Sequence, residues 1–314
     1  DRKSHSKVLD MAEPVLAILP SAMPEFVKSA PIVLERLSLD QLSIWCDEGK
    51  RVLHRNKDGG LAFFKIESSH SEEFLEGISS GVEFGRIQTV IEMYCRALAG
   101  EEIDLADTQE LVDKNIGWVS TDSPTTEGTT VYLPSLFDRY PTKDDNFLWF
   151  KVVATHQVAR MEFGSFRFKF DVPATRFDSL RLQLEADRSG SASAKAADLQ
   201  RFFDLFDERQ LALDVFSVVE DGRVDALVKD EYKGIRRPYE RVQADSLETR
   251  PDIKELPARE ALVEFLVRMS LSRSVSVPVP SEHKDIAKEI SRIARHAMVA
   301  AASVEDSAEA TLRI

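Results

Sequence analysis

Asp145-Asn-Phe-Leu-Trp-Phe-Lys-Val-Val-Ala-Thr-His-Gln-Val-Ala-Arg-Met-Glu-Phe-Gly-Ser-Phe-Arg-Phe-Lys-Phe170 changes its hydrophobic period part-way along. Phe147, Phe150, Ala154, Val158 and Met161 recur at three- and four-residue steps, which predicts a helix. Phe166, Phe168 and Phe170 then alternate with Ser165, Arg167 and Lys169, which predicts a strand, and Gly164 marks the change of period. His156 and Arg160, four residues apart, project from one face of the helix. That face is the first place to look for chemistry.

At 314 residues the chain is long enough for one large domain or two ordinary ones. Its 43% hydrophobic and 30% charged content fits a soluble globular protein. No apolar run approaches the ~20 residues of a membrane span, and the N-terminus has no signal-peptide block, so the sequence reads as cytoplasmic. A net charge of −13 argues against broad binding to nucleic acid or anionic membrane, since both depend on basic surface. Cys46 and Cys95 lie among apolar residues of helical patterns and read as buried thiols. His5, His54, His70, His156, His283 and His296 form no ligand cluster, so neither a metal nor another cofactor is expected in this chain.

Outward toward the N-terminus, Val8, Leu9, Ala12, Val15, Leu16 and Leu19 trace a helix stopped by Pro20, and a short helix runs through Phe26 and Val27. Ser38 reads as the N-cap of a helix carrying Leu42, Trp45 and Cys46 that Gly49 can end, and Lys57-Asp-Gly-Gly60 reads as a loop. Phe84, Ile87, Ile91, Tyr94, Cys95 and Leu98 make an amphipathic helix closed by Gly100. Short strands are expected at Ile103–Leu105, Ile116–Val119 and Thr130–Leu133, with a loop from Thr121 to Thr129.

Toward the C-terminus, Phe177 to Leu184 begins another element, and Leu199 to Val219 is long enough for two helices. Pro251 and Pro257 bracket a loop before the helix of Ala261, Leu262, Phe265, Leu266 and Met269. Ser274 to Pro280 is extended, a last helix holds Ile286, Ile290, Ile293 and Ala297, and the polar end after Ser303 reads as frayed. The fold class is mainly α with a small β component: a stack of short helices over residues 1–100, an α+β helical core over 101–272 with a flexible loop near 187–196, and an extended segment with a C-terminal helix over 273–314.

A zinc peptidase helix places two histidines at i and i+4 with a glutamate after the first. Here the frame reads His156-Gln-Val-Ala-Arg160, with an amide in place of the base and a cation in place of the second ligand; Glu220 could supply a third ligand from a later helix. An active metallopeptidase, a zincin-like scaffold stripped of its metal, and an ordinary helix with a hydrogen-bonded histidine all stay open, the last favoured. Asp187-x-Ser189-x-Ser191 matches the metal-binding opening of a von Willebrand factor A domain, but the charge-interrupted run before it favours a flexible loop. Glu220, Asp221, Arg223 and Asp225 could hold a cation or face a partner, and charges at these spacings most often satisfy one another. Arg236 and Arg237 close a small basic turn that offers a contact to an acidic partner or stays solvated. With neither a phosphate-cradling loop nor a nucleophile elbow, the residues favour a helical adaptor over an enzyme.

Three blocks carry a resemblance. Val131-Tyr-Leu-Pro134 with Asn146 to Gln157 and Glu162-Phe-Gly-Ser-Phe166 is the first, Phe216 to Asp225 with Tyr232-Lys-Gly-Ile235 the second, and Leu256 to Val267 the third. Together, over roughly residues 30 to 272, they resemble the N-terminal region of the von Willebrand factor A proteins that partner MoxR-type AAA+ ATPases, a family whose characterised types include CbbO of the CbbQO-type Rubisco activase and the NorD proteins linked to nitric oxide reductase activation. The resemblance implies a non-catalytic, chaperone-like adaptor: the ATPase hexamer, with its own ATP and magnesium, does the work, this region docks on it, and a C-terminal von Willebrand domain contacts the client. Rubisco is the first expected client, a NorD-like role the alternative, and a zincin-like metallohydrolase the alternative from another class. No such C-terminal domain has appeared by Ile314, so the chain is expected to be part of a longer protein.

Overall fold

A computed structural model describes residues 2–35, 37–100, 103–113, 125–127, 129–187, 197–272, 277, 279 and 283–314. The expected strand Ile116–Val119, most of the Thr121–Thr129 loop, the Ser189 to Ser191 loop and most of Ser274–Pro280 lie outside the described residues. The architecture is mainly helical with a small β component. The chain divides into two compact units, residues 1–83 with 136–147, and residues 84–135 with 148–314. These divisions follow different lines from the sequence boundaries at residues 100 and 272.

The first unit contains α1 (Arg2–Ile18), α2 (Ala22–Leu34), α3 (Leu39–Arg55), α4 (Lys57–Phe64), α5 (Ser69–Ile78) and β1 (Val82–Glu83). Ser38 caps α3 through a capping box with Gln41, as its sequence position predicts. Trp45 is the centre of an aromatic core: Phe26 and Phe63 stack on it with ring centroids at 6.1 and 5.4 Å, and Phe64 meets it edge-on at 5.4 Å. Its indole N–H donates to Ser71 Oγ at 3.2 Å, so the ring buries no unmet donor.

Two expectations fail here for one reason. Gly49 does not end α3, and Lys57 to Gly60 is not a loop but the start of α4, capped by Asn56, whose side chain accepts from the N–H groups of Asp58 and Gly59. A Cβ on Gly49 would stand 2.4 Å from the Phe64 ring, and one on Gly60 would stand 2.7 Å from the Leu53 backbone. These glycines serve close helix packing, not chain reversal.

The second unit opens with α6 (Phe84–Ala99), ended by Gly100 at φ 65°, the left-handed cap its position predicts. β2 (Asp104–Asp107), α7 (Thr108–Asp113), β3 (Thr125–Glu127) and β4 (Thr130–Leu133) follow. β4 is the middle strand, parallel to β2 and antiparallel to β3. In the first unit, β5 (Leu136–Phe137) pairs antiparallel with β1, Val82 opposite Phe137. Buried Asn146 fixes the return there: its Oδ1 accepts from the N–H groups of Arg139 and Tyr140, and its Nδ2 donates to the carbonyls of Ser80 and Tyr140.

α8 (Lys143–Glu162) crosses from the first unit to the second, and within the second Phe150, Val152, Ala154, Val158 and Ala159 are all buried. The helical period of the opening stretch is thus met, but its strand is not. Ser165–Arg167 is a 3-10 turn, and Phe168 and Phe170 are buried but belong to no strand among the described residues. Side chains take the place of the ladder: Lys169 N–H donates to Glu305 Oε1 at 3.2 Å, and Phe170 C=O accepts from Arg181 Nε at 2.8 Å.

Helices complete the unit: α9 (Leu180–Asp187), α10 (Asp198–Phe203), α11 (Arg209–Glu231), α12 (Arg236–Glu248), α13 (Ala258–Leu271), α14 (Lys284–Ala297) and α15 (Val304–Arg313). The segment after Ser303 is no frayed end. α15 begins on a Ser303 and Asp306 capping box and buries Asp306, Ser307, Ala308 and Glu309 completely. Glu309 accepts from Arg181 Nη1 at 2.7 Å, Arg313 Nη1 at 2.6 Å and Leu180 N–H at 2.9 Å. Burial of this polar helix is possible because its carboxylates find donors inside the fold. Cys46 and Cys95 are free and buried, and burial pushes their thiols up to about 11 and about 12.

Candidate functional site

The His156 and Arg160 face of α8 meets the face of α11 that carries Asp221 and Asp225, also four apart. His156 Nδ1 lies 2.9 Å from Asp225 Oδ1 and 2.7 Å from the Tyr239 hydroxyl, while Nε2 lies 3.3 Å from Asp221 Oδ1. Arg160 Nη1 reaches Asp221 Oδ1 at 3.5 Å. The Tyr239 hydroxyl donates to Asp225 Oδ1 at 2.5 Å, and Gln243 Nε2 donates to Asp225 Oδ2 at 2.5 Å. Asp225 therefore has both oxygens engaged while only 5% exposed.

Burial on its own lowers the basicity of His156, but the hydrogen bonds to Asp221 and Asp225 outweigh it and raise the ring to about 10. The histidine is an imidazolium at neutral pH and donates from both nitrogens. Burial raises the carboxyl of Asp221, and the imidazolium and Arg160 more than offset this, leaving it below its ordinary value. Tyr239 is held well above its usual range by burial and by Asp225 beside it, so it remains a neutral donor.

A second network lies further round α11. Glu220, with no exposed surface, accepts from Arg223 Nε at 2.8 Å, Ser165 Oγ at 2.5 Å and Ser307 Oγ at 2.7 Å. Arg223 also donates to the carbonyls of Phe163 at 3.0 Å and Ala302 at 3.4 Å. At the end of α8, Glu162 accepts from the Tyr232 hydroxyl. Arg236 starts α12 and pairs with Glu240 at 3.1 Å, and Arg237 is exposed.

The structure thus joins His156, Arg160, Asp221 and Asp225 in one cluster, puts Glu220 and Arg223 in a neighbouring one, and leaves Glu162, Arg236 and Arg237 outside both. The zinc-peptidase frame is filled by other contacts: Arg160 brings a cation to the second ligand position, and Glu220 is engaged by Arg223 and two serines. Asp221 and Asp225 approach opposite ring nitrogens, so their contacts with His156 do not converge on one point. Among the described residues no group of three or more histidine, cysteine or carboxylate side chains is arranged to hold a metal.

Sequence reasoning missed Tyr239, Gln243, Ser165 and Ser307. Tyr239 and Gln243, four apart on α12, had a faint signal in their shared face; the serines had none. Among the described residues Arg160 Nε is a buried side-chain nitrogen without a hydrogen-bond partner, and its guanidinium lies 5.7 Å from the Phe166 ring, which is 53% exposed. Among the described residues no helix is long and apolar enough to cross a membrane. No family model matches the chain, and neither does any curated protein or solved structure.

Proposed function

We infer that this chain is a non-catalytic adaptor domain that docks on a MoxR-type AAA+ ATPase hexamer in the cytoplasm and couples ATP hydrolysis to remodelling of a client enzyme, with inhibited Rubisco the first choice of client. One observation carries the reading. Two polar residues of the resembling blocks are committed to internal structure: His156 to Asp221 and Asp225, and Glu220 to Arg223, Ser165 and Ser307. Such networks fix helices in place, which supports a structural over a catalytic role for these groups. Function then rests on surface, and the net charge of −13 suits encounter with a basic face of a partner ring.

The test is a pull-down of the folded chain with the candidate ATPase hexamer across a salt series, together with its ATPase rate. Binding that weakens with salt, or a change in ATP turnover, is the expected result; no binding at low salt by a folded chain sinks the proposal. Using the CbbQ-type and the nitric oxide reductase-linked ATPases side by side separates the two pathways. Stoichiometric zinc in the purified chain, lost on His156→Ala, would replace the adaptor by the metallohydrolase.

A further inference from the structure

Residues 168–179, all described, belong to no helix or strand, yet Phe168 and Phe170 within them are buried. Their backbone is held from far along the chain. Lys169 N–H donates to Glu305 Oε1 at 3.2 Å and Arg176 N–H to Asp306 Oδ1 at 2.7 Å, while the Thr175 hydroxyl donates to Asp306 Oδ2 at 2.6 Å. The next helix, α9, starts on the same partner: the N–H groups of Leu180 and Arg181 donate to Glu309 at 2.9 and 3.3 Å, which meets donors that a helix leaves open in its first turn. In return, Arg313 Nη2 donates to the Asp178 carbonyl at 2.7 Å.

Glu305, Asp306, Glu309 and Arg313 all belong to α15, so the dependence is mutual. Without α15 the N–H groups of the irregular stretch lose their acceptors; without the stretch, Asp306 and Glu309, neither with any exposed surface, lose donors. Apolar contacts follow the same line, since Phe168 and Phe170 from the stretch and Val304 and Ala308 from α15 lie in one cluster with Phe202, Phe203 and Phe216. α11 and α13 are less dependent. Each closes its own helical ladder, and Val219, Phe265 and Ile290 pack α11, α13 and α14 together in a cluster to which α15 adds Ala310 as its one buried residue.

We propose that residues 168–181 and α15 form a clasp, a cooperative element that opens and re-forms as one while α11, α12 and α13 stay folded, and whose opening uncovers the Phe202, Phe203 and Phe216 cluster. Two stretches more than a hundred residues apart in sequence are thereby one conformational device. The proposal is independent of the ATPase reading above.

Native-state hydrogen exchange of the 314-residue chain in sub-denaturing urea, read peptide by peptide in a mass spectrometer, tests it. Amides of 168–181 and of α15 should share one opening constant and one urea dependence, opening about tenfold or more as often as α13. Two different constants, or exchange of both only with global unfolding, overturns the proposal. Val228→Ala removes buried packing far from the clasp, so it should raise global opening, read at α13, about tenfold and leave the opening of the clasp unchanged. An equal rise in both overturns the proposal. Asp306→Ala takes the acceptor from Thr175 and Arg176 and should raise the opening of both clasp stretches by the same factor; a rise in one alone overturns it. Ala212→Cys sets a thiol in the covered cluster, and its alkylation should follow the opening constant of the clasp; alkylation at the global rate overturns it. Where a variant fails to fold, the wild-type exchange decides.

Discussion

The centre of the first unit and the centre of the second are both buried but built from different materials. Around Trp45 the buried residues are rings and aliphatic side chains with the uncharged Ser29 and Ser71 among them; around α11 and α15 they include the charged Glu220, Arg223, Arg181, Asp306 and Glu309. An apolar core tolerates approximate partners, because dispersion and the hydrophobic effect have little directionality. An ionic core does not, because each buried charge needs its own donors or acceptors at bonding distance. The contrast separates a region stabilised mainly by packing from one whose arrangement is specified by hydrogen bonds.

The largest expected effect comes from breaking the ionic core on one side. Arg181→Ala leaves Glu309 buried without its principal cation and should cost about 3–5 kcal/mol in urea unfolding, whereas Arg181→Met with Glu309→Leu should recover most of it. Failure of the single variant to destabilise would erase the distinction between the two centres. A smaller effect follows from pH. His156 is raised to about 10, so its contribution is full below about 6.5, declines as pH rises, and is lost above about 10. At up to about 1.4 kcal/mol per pH unit, stability should fall by about 2–3 kcal/mol between pH 7 and 9. His156→Gln should flatten that slope in a series of unfolding curves.

In the apolar centre, Gly60→Ala should destabilise by about 1–3 kcal/mol, because the new methyl meets the Leu53 backbone despite the better helix propensity of alanine. A gain in thermal midpoint would show that the α3 and α4 contact is looser than its geometry. Ser38→Ala is the mildest change, at about 1 kcal/mol, and amide exchange at Gln41 should quicken as its capping acceptor is lost.

Legibility followed the same divide. The α6 pattern, its Gly100 cap, the Ser38 cap, strand β4 and the two helices α10 and α11 could all be read from local spacing, since each depends on neighbours within a few residues. Phe166 to Phe170 misled because alternation records which side chains are buried and not what satisfies the backbone between them. In the candidate site, the sequence favours a hydrogen-bonded His156 without naming its partners, and Asp221, Asp225, Tyr239 and Gln243 come from two other helices that nothing local ties to it.

The sequence by itself determined the mainly helical class, most helix spans, the aromatic material of the first core and the oddity of the His156 frame, all consequences of period and composition. Tertiary structure alone decided that a polar segment after Ser303 would be buried as α15, that Gly49 and Gly60 would be contact points, and that His156 would carry a proton between two aspartates. The physical reason is range: hydrophobic period is written in adjacent turns, whereas the donor that makes a buried carboxylate tolerable can lie more than a hundred residues away, as Arg181 does from Glu309.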